Sequence, residues 1–457
     1  MNSEITIKND IFDEVKKEKK PIHLVLIATK PDIIKLAPLI IELKKENEFV
    51  LTVHSGQHFD WNLSGGLEEE FGLSPDINLN VRGMLFEQQA QIIERLGKVL
   101  FKMKKLNKRI IPYILGDTTT AVAGGIASFA NLLGTVHVEA GLRTMTPPKK
   151  RFFELLSNFD AEEFYFKLRE ASGWKKGSYE PYPEQFDTRA AAPSAGLHFS
   201  PTPLNKKHLL DEGYDAERIV TVGNPVSDAI DLVEKKGKES NVFEMFPLLE
   251  EGEWIRFCIH RRENVSSLHR FSSLIEAIEK LVNRGEKILL VSLGATEKAL
   301  NDFGLKKKIE KMSKSNKNFI YSPVWPYYRD AIAVMKKCSA VATDSGSIQE
   351  ETNILGVPGI VLRFNSDRPE AVFAGSNTLA PPINAEIVEK IVREVVENKK
   401  LNKQMRKTQK LYGKNVCKKI VKNAKEVSAK EGLFELFEQQ RLGLTKLDFW
   451  KKGETQW

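Results

Sequence analysis

The sequence predicts an α/β protein in which two doubly wound parallel sheets face each other across a central cleft. Three observations predict this class. Short runs rich in Val, Ile and Leu alternate with longer amphipathic segments, as parallel strands alternate with helical crossovers. The chain has 457 residues, which is too long for one ordinary core. A Gly-Asn-Pro turn at residues 223–225 separates two halves with the same alternating pattern.

The predicted strands form two groups along the chain. The first group reads HLVLIAT, FVLTVHS, RIIPYIL, GTVHVEA and GLHFSP, and the second reads IRFCIH, KILLVSL, NFIYSP, AVATDS and PGIVLRF. A helical segment is expected after each strand, and a long basic helix is expected after Asn384. We therefore predict an N-terminal domain at 1–222, a C-terminal domain at 223–432 and a tail at 433–457.

Composition and charge narrow the class of protein. No run of eighteen or more uncharged apolar residues occurs, and the first twenty residues lack the apolar centre of a signal peptide. We expect a cytoplasmic protein that does not associate with membranes. The net charge is +8, but the lysines are spread along helical segments, which is typical of solvated faces. No nucleic-acid partner is expected, whereas a phosphorylated small molecule suits the charge.

The sequence contains no pattern for a metal or a redox cofactor. Cys258, Cys338 and Cys417 are far apart and form no C-x-x-C pair, so we expect buried, reduced thiols. Neither the G-x-G-x-x-G fingerprint nor the G-x-x-x-x-G-K-[ST] loop is present. We therefore predict that the protein needs no cofactor and no metal.

Two acids follow predicted strands in the first half. Asp117 follows RIIPYILG, and Glu139 follows TVHV. Ligands of doubly wound sheets gather at the carboxyl ends of strands, so these positions suit chemistry. Capping of the next helix is an equally good interpretation of Asp117 taken alone.

The second half contains a predicted phosphate site. In TDSGSIQEE, Ser345 to Ser347 would offer N–H groups and hydroxyls at a strand-to-helix turn, and Glu351 on the same helix could accept ribose hydroxyls. An ordinary serine-rich helix cap is the alternative. Arg368 follows the next strand and could bind phosphate, while His260 ends the first strand of this half beside two arginines. The pattern favours a nucleotide, most simply the nucleotide of a sugar donor.

These motifs together resemble the non-hydrolysing UDP-N-acetylglucosamine 2-epimerases. The matching motifs, in order, are ATKPDIIKLAPLI, SGQHFD, LGDTTTAVAG, HVEAGLRT, HRREN, TDSGSIQEE and DRPEAV. The resemblance covers residues 22–427 apart from one insertion. It implies two Rossmann-like domains in the GT-B arrangement. It also implies interconversion of UDP-N-acetylglucosamine and UDP-N-acetylmannosamine, by elimination and re-addition of UDP, for cell-surface polysaccharide precursors.

The resemblance also implies roles for individual residues. The family's catalytic residues fall on Asp117, Glu139, Glu184 and His260. Its UDP-sugar contacts fall on Lys30, Lys35, Ser345, Gly346, Ser347, Glu351 and Arg368. The sequence does not identify the acid that takes the C2 proton. A GT-B glycosyltransferase with a UDP-sugar donor and a non-catalytic UDP-sugar sensor remain alternatives.

The chain departs from the family pattern in three places. Lys30 replaces an arginine, which removes bidentate phosphate geometry. The family's P-E-E-x-N-R motif appears as PEQFDTR, so Asp187 replaces Asn and Thr188 replaces Arg. Arg189 follows one residue later, where the helix has turned by roughly 100°.

The third departure is an insertion at residues 145–182, which is roughly thirty residues longer than expected. Its centre, RFFELLSNFDAEEFYFKLRE, predicts one amphipathic helix. Because the insertion joins Glu139 to Glu184, we expect it beside the cleft or across a subunit interface. Aromatic residues exposed on so long a connection would be costly in a monomer, so we expect a homodimer with the insertion at or near its interface.

Overall fold

The computed structural model describes residues 5–56, 65–235 and 240–429. The strands are β1 Thr6–Ile7, β2 Ile22–Ile27, β3 Phe49–His54, β4 Ile77–Asn78, β5 Ile110–Leu115, β6 Thr135–Val138, β7 Met145–Thr146, β8 Lys175–Lys176, β9 Ala195–Ser200, β10 Ile219–Thr221, β11 Ile255–Cys258, β12 Ile288–Ser292, β13 Phe319–Pro323, β14 Ala340–Thr343, β15 Gly359–Val361 and β16 Asn377–Leu379. The predicted tail at 433–457 and part of the SGQHFD motif, 57–60, lie outside the described residues.

The α-helices alternate with these strands. They are α1 Ile11–Lys17, α2 Lys30–Lys45, α3 Gly66–Phe71, α4 Leu85–Lys105, α5 Thr119–Ala130, α6 Lys149–Ser157, α7 Ala161–Leu168, α8 Glu184–Ala191, α9 Pro203–Asp211, α10 Val226–Lys235, α11 Val242–Met245, α12 Arg262–Val265, α13 Leu268–Asn283, α14 Gly294–Asp302, α15 Lys306–Ser315, α16 Tyr328–Lys337, α17 Gly346–Leu355, α18 Pro369–Ala374, α19 Ala385–Glu397, α20 Lys399–Arg406 and α21 Val416–Ala429. Short 3₁₀ turns lie at Ala192–Ser194, Ala216–Arg218 and Pro247–Glu251.

The described residues form two large sheets. The first has the order β1-β4-β3-β2-β5-β6-β9-β10, and the second has the order β13-β12-β11-β14-β15-β16. Every pair of neighbours is parallel except β1 and β4. All ten predicted strands are confirmed. The strands that the sequence did not predict have two or three residues, which is too short for a pattern.

Burial explains the apolar character of the central strands. Every residue of β2, β5 and β9 is buried, because helices cover both faces of a parallel sheet. The three cysteines are buried and free, which confirms that prediction. No helix among the described residues is long and apolar enough to span a bilayer.

Two helices from beyond the turn at 223–225 return to the first sheet. Both α10 and α21 pack against α2, and their apolar residues share one core with α2. The first sheet is therefore covered partly by the end of the described chain. The domain boundary between residues 222 and 223 stays a prediction. It separates the strands of the two sheets, but α10 and α21 lie beyond it in sequence and pack with the first sheet.

The long basic helix predicted after Asn384 is wrong, because this segment forms α19, α20 and α21. Asn398 ends α19, and its side chain accepts a hydrogen bond from the Leu401 N–H at 3.0 Å to cap α20. Gly413 then adopts a φ of 73°, which a helix cannot contain. Local capping thus divides a segment whose charge pattern is continuous.

The single helix predicted in the insertion is also wrong. The segment forms α6 and α7, which are separated at 158–160. Asn158 leaves the helical conformation, and the Asp160 carboxylate accepts the Glu163 N–H at 2.8 Å. An N-cap in the middle of the segment therefore starts a second helix.

The insertion leaves the first sheet and packs on the second. The buried side chains of Phe152, Phe164 and Trp174 share one core with β11, β12 and β14. The Tyr165 hydroxyl donates to the Gly375 carbonyl at 2.9 Å. Phe152, Phe164, Tyr165 and Trp174 are buried within the same chain, whereas Phe153 and Phe166 are exposed by 66% and 41%. The buried aromatic residues provide little support for the expected place of the insertion at a subunit interface.

We predict that this packing is a substantial part of the stability. Replacing Phe164, which is 2% exposed, by Ala should lower the free energy of unfolding by about 3–5 kcal/mol. The matched control is Phe153→Ala, because Phe153 is 66% exposed and should change stability by less than about 0.5 kcal/mol. Urea denaturation measures both. Equal losses for the two variants would contradict the docking of the insertion on the second sheet.

Candidate active site

A cavity of about 450 Å³ lies between the carboxyl ends of the two sheets. Its wall brings together residues that the sequence places in different halves. The predicted site residues that line it are Lys30, Lys35, Asp117, Glu139, Glu184, His260, Ser345, Ser347, Glu351 and Arg368. Gly346 is not part of the wall and lies against Asp367 and Arg368. A side chain at Gly346 would place its Cβ 2.7 Å from the Asp367 carboxylate and 3.1 Å from Arg368 Nη1, so only glycine fits there.

Backbone geometry at two strand ends sets the position of the acids. Gly116 directly follows β5 with a φ of 62°, and a Cβ there would lie 2.9 Å from Glu139 Oε2. Glu139 itself has a φ of 62°, which is uncommon for a residue with a side chain and is typical of functional sites. Thr118, and not Asp117, caps α5 by accepting the Ala121 N–H. The Asp117 side chain is therefore available to the cavity.

Four buried charged side chains form one cluster, which we call the charge cluster: Lys35, Glu139, Glu350 and Arg368. Lys35 Nζ lies 2.6 Å from Glu139 Oε1 and 2.9 Å from Glu350 Oε2. Arg368 donates from Nη2 to Glu139 Oε1 at 3.0 Å and from Nε to Glu350. Two cations thus balance two carboxylates away from water, where an unbalanced charge would be costly.

Burial and neighbouring charges give the acids of the site different pKa values. Burial favours the neutral form of Glu139, but the opposing Lys35 and Arg368 charges hold its pKa at about 2. Burial raises the pKa of Asp117 to about 6, against the opposing effect of Arg368. Burial also raises the pKa of Glu350, against the opposing charges of Arg368 and Lys35. At neutral pH, Glu139 is a fixed anion, whereas Asp117 can take up and release a proton.

The start of α17 forms the second side of the cavity. Ser345 occupies the N-cap position, and its side chain makes no capping hydrogen bond to any described residue. Further along the same helix, the Glu351 carboxylate accepts the Tyr328 hydroxyl at 3.0 Å and lines the cavity. The arrangement offers a helix N-terminus to an anion and a carboxylate to hydroxyl groups.

His260 and Arg261 are held by one buried carboxylate. Asp344, at the end of β14, accepts the His260 N–H at 3.0 Å and the Arg261 N–H at 3.0 Å. Burial lowers the pKa of His260. Arg261 forms an ion pair with Glu184, which begins α8. The loop after β11 therefore presents a histidine and fixes an acid from the other half.

Lys30 bridges the cleft. Its Nζ donates to the Trp325 carbonyl at 2.9 Å, which links the start of α2 to the segment after β13. Burial lowers the pKa of Lys30 to about 8. The ammonium is therefore a single charged contact close to the cavity, without the fork of an arginine.

The altered motif at 183–189 places different side chains from those expected. Asp187 is buried in the cavity wall, and Thr188 accepts a hydrogen bond from Arg143 at 3.2 Å. Arg189 turns back along its own helix and donates to the Gln185 carbonyl at 2.9 Å. Arg189 is not part of the cavity wall, so it does not replace the arginine expected at Thr188.

Three residues of the site escaped the sequence interpretation. Asn224 donates to Glu139 Oε1 at 3.0 Å, although its Gly-Asn-Pro context indicated only a turn. Glu350 belongs to the charge cluster, whereas its neighbour Glu351 was the predicted ligand. Tyr328 lies shortly after the predicted strand NFIYSP, and this position was the only feature of the sequence that could have indicated a site residue. In the described part of the chain, no group of three or more His, Cys, Asp or Glu side chains is placed to hold a metal.

Two Rossmann-like domains with a cavity at their facing strand ends define a protein of the GT-B type. Residues 41–149 and 176–425 match the UDP-N-acetylglucosamine 2-epimerase family model, which leaves the middle of the insertion unmatched. The chain belongs to the UDP-N-acetylglucosamine 2-epimerase family.

Individual relatives agree with this assignment. A curated UDP-N-acetylglucosamine 2-epimerase of Methanocaldococcus jannaschii is 30% identical, with 82% of this chain and 92% of the relative covered. The structure of the enzyme from this organism in complex with UDP-GlcNAc and UDP has a TM-score of 0.73, 29% identity, and coverage of 89% of this chain and 99% of its own. The Neisseria meningitidis enzyme bound to UDP-GlcNAc has a TM-score of 0.72 at 26% identity, and the coverage is 89% and 100%.

Proposed function

We propose that the protein is a UDP-N-acetylglucosamine 2-epimerase that interconverts UDP-N-acetylglucosamine and UDP-N-acetylmannosamine. One observation carries the proposal, which is the meeting of Asp117, Glu139, Glu184 and His260 with the start of α17 around one cavity. Family membership and the substrates named for the solved relatives support it.

The acids suit an elimination across C1 and C2 of the sugar. In this reaction a base removes the C2 proton while the bond from C1 to the UDP oxygen breaks. Asp117 is the best candidate for the base, because its pKa of about 6 leaves it ionised but readily protonated at neutral pH. Glu139 stays ionised and stabilises positive charge that develops at C1. UDP then adds back to C1, and C2 receives a proton on the opposite face.

The second half suits the leaving group. The N-terminus of α17, at Ser345 to Ser347, would bind the diphosphate, and Glu351 would accept the ribose hydroxyls. Lys30 adds a positive charge from the first half. His260 lies at the same edge, where its lowered pKa keeps it neutral and able to donate a hydrogen bond.

Incubation with UDP-N-acetylglucosamine in heavy water tests the function. We expect deuterium at C2 of both epimers and formation of UDP-N-acetylmannosamine without any added acceptor. UDP release that depends strictly on an acceptor would instead indicate a glycosyltransferase. Tight binding without exchange or turnover would indicate a sensor. Either of these results would overturn the proposal.

We propose that the enzyme is a cytoplasmic homodimer. The free, buried cysteines suit a reducing compartment. Phe86 and Phe101 on α4 and Ile126 on α5 are exposed by 63%, 55% and 46%, and these helices pack side by side. Exposed apolar side chains on adjacent helices are typical of a subunit interface.

The dimer face can be tested by its mass in solution. Phe101→Glu should convert a dimer to a monomer in light scattering, because a charge would be buried at the contact. The control is Phe153→Glu in the insertion, which should leave the mass unchanged. Dissociation by the control variant alone would place the interface at the insertion instead.

A further inference from the structure

Asp187 is a buried acid in the cavity wall with one unused oxygen. Its side chain is inaccessible to solvent, and it lies one helical turn after Glu184. The Thr119 hydroxyl donates to Asp187 Oδ2 at 2.9 Å. Oδ1 is buried and has no hydrogen-bond partner among the described residues. An unused polar atom at this position requires a partner that the protein itself does not supply.

The groups that face Asp187 favour its neutral form. Asp117 approaches from the β5–α5 turn and Glu184 from the same helix, and both carry negative charge when ionised. Within the described ranges, no ion pair joins Asp187 to a cation, and Arg261, which also lines the cavity, pairs with Glu184. Burial, together with the charges of Asp117 and Glu184, raises the pKa of Asp187 to about 7, although the Thr119 hydrogen bond opposes this.

We propose that Asp187 binds the sugar of the substrate as a neutral acid, with the proton on Oδ1 donated to a substrate oxygen. Thr119 fixes this orientation, because its hydroxyl proton occupies Oδ2 and leaves Oδ1 to carry the acid proton. A neutral Asp in this orientation presents the same pair of groups as Asn, namely one acceptor towards Thr119 and one donor. A neutral Asp187 thus offers a hydrogen-bond donor, as the Asn of the family motif would, but this donor is present only while the carboxyl group is protonated. This inference rests on the proposed epimerase function.

The protonation state of Asp187 determines how the KM for the UDP-sugar changes with pH. Below pH 7 the donor is present, and above pH 7 the ionised carboxylate presents only acceptors to the substrate oxygen. The KM for the UDP-sugar should therefore rise as the pH increases through about 7. Turnover should depend on Asp117 instead, and should fall as the pH drops below about 6. The two acids thus affect different kinetic constants.

The test compares the wild type, Asp187→Asn and Asp187→Ala from pH 6 to 9. For the wild type we expect the KM for UDP-N-acetylglucosamine to rise about tenfold between pH 6.5 and 8.5. Asp187→Asn should keep the low KM at every pH, whereas Asp187→Ala should have a KM about tenfold higher that does not change with pH. If Asp187 had only a structural role, Asp187→Asn would not keep a low KM at high pH.

Two controls separate this inference from the proposed function. Asp330→Asn removes another buried acid of raised pKa, outside the cavity wall, and should leave the wild-type pH profile unchanged. Calorimetry of UDP and of UDP-N-acetylglucosamine reports binding without turnover, and only the sugar nucleotide should show the pH dependence. An inactive wild type that still shows this difference would overturn the epimerase function alone. An Asp187→Asn enzyme with the wild-type KM profile would overturn the role of Asp187.

Discussion

Replacing Asp117 by Asn is expected to lower turnover of UDP-N-acetylglucosamine by about 10²–10⁴-fold. The amide keeps the size of the side chain but cannot accept the C2 proton. The affinity for UDP should stay within about twofold of the wild type, because UDP lacks the sugar that Asp117 serves. Steady-state kinetics and calorimetry with UDP measure the two effects, and deuterium exchange at C2 should be lost together with turnover.

The other acids provide a comparison for this result. Glu139→Gln and Glu184→Gln should also depress turnover, while Asp330→Asn, which lies outside the cavity, should not. A variant of Asp117 that still exchanges the C2 proton at the wild-type rate would show that another group is the base. A catalytically normal Glu139→Gln enzyme would refute the role given to the fixed anion.

The second large effect is expected from Arg368→Ala. This substitution leaves the buried Glu139 and Glu350 with Lys35 as their only remaining partner in the charge cluster. Breaking a buried ion pair from one side typically costs about 3–5 kcal/mol of stability, because the remaining carboxylates stay away from water. Urea denaturation at pH 7.5 should show a loss of this size.

An exposed ion pair supplies the contrast. Lys298 pairs with Asp302 on the surface of α14, with 76% of the lysine side chain exposed. Lys298→Ala should cost no more than about 1 kcal/mol. If Arg368→Ala were as stable as Lys298→Ala, the carboxylates of the charge cluster would have to take up protons or water, and the buried cluster would be disproved.

Much of the architecture could be predicted from the sequence, because buried parallel strands form continuous apolar runs. The same pattern places Asp117 and Glu139 at adjacent strand ends, since β5 and β6 are neighbours. The partners of these acids could not be predicted. Lys35, Glu139 and Arg368 come from three distant segments, and a lysine or an arginine taken alone is equally suited to phosphate and to carboxylate.

Helix boundaries failed where short-range capping overrides periodicity. Asp160 and Asn398 each begin a new helix inside a segment whose apolar spacing continues. The packing of the insertion was hidden for a different reason. Its aromatic spacing indicates that one face is buried, but spacing has no information about which sheet buries it.

The path of the insertion has a consequence for how the chain acquires its structure during synthesis. Strands β6 and β9 are neighbours, yet the residues between them pack on a sheet that is built from residues 255–379. One side of α2 is likewise covered by α21, which lies close to the end of the described chain. A nascent chain that has emerged only as far as residue 222 thus exposes apolar surface on both segments, where chaperones bind. The two halves are therefore expected to reach the native state together rather than in succession.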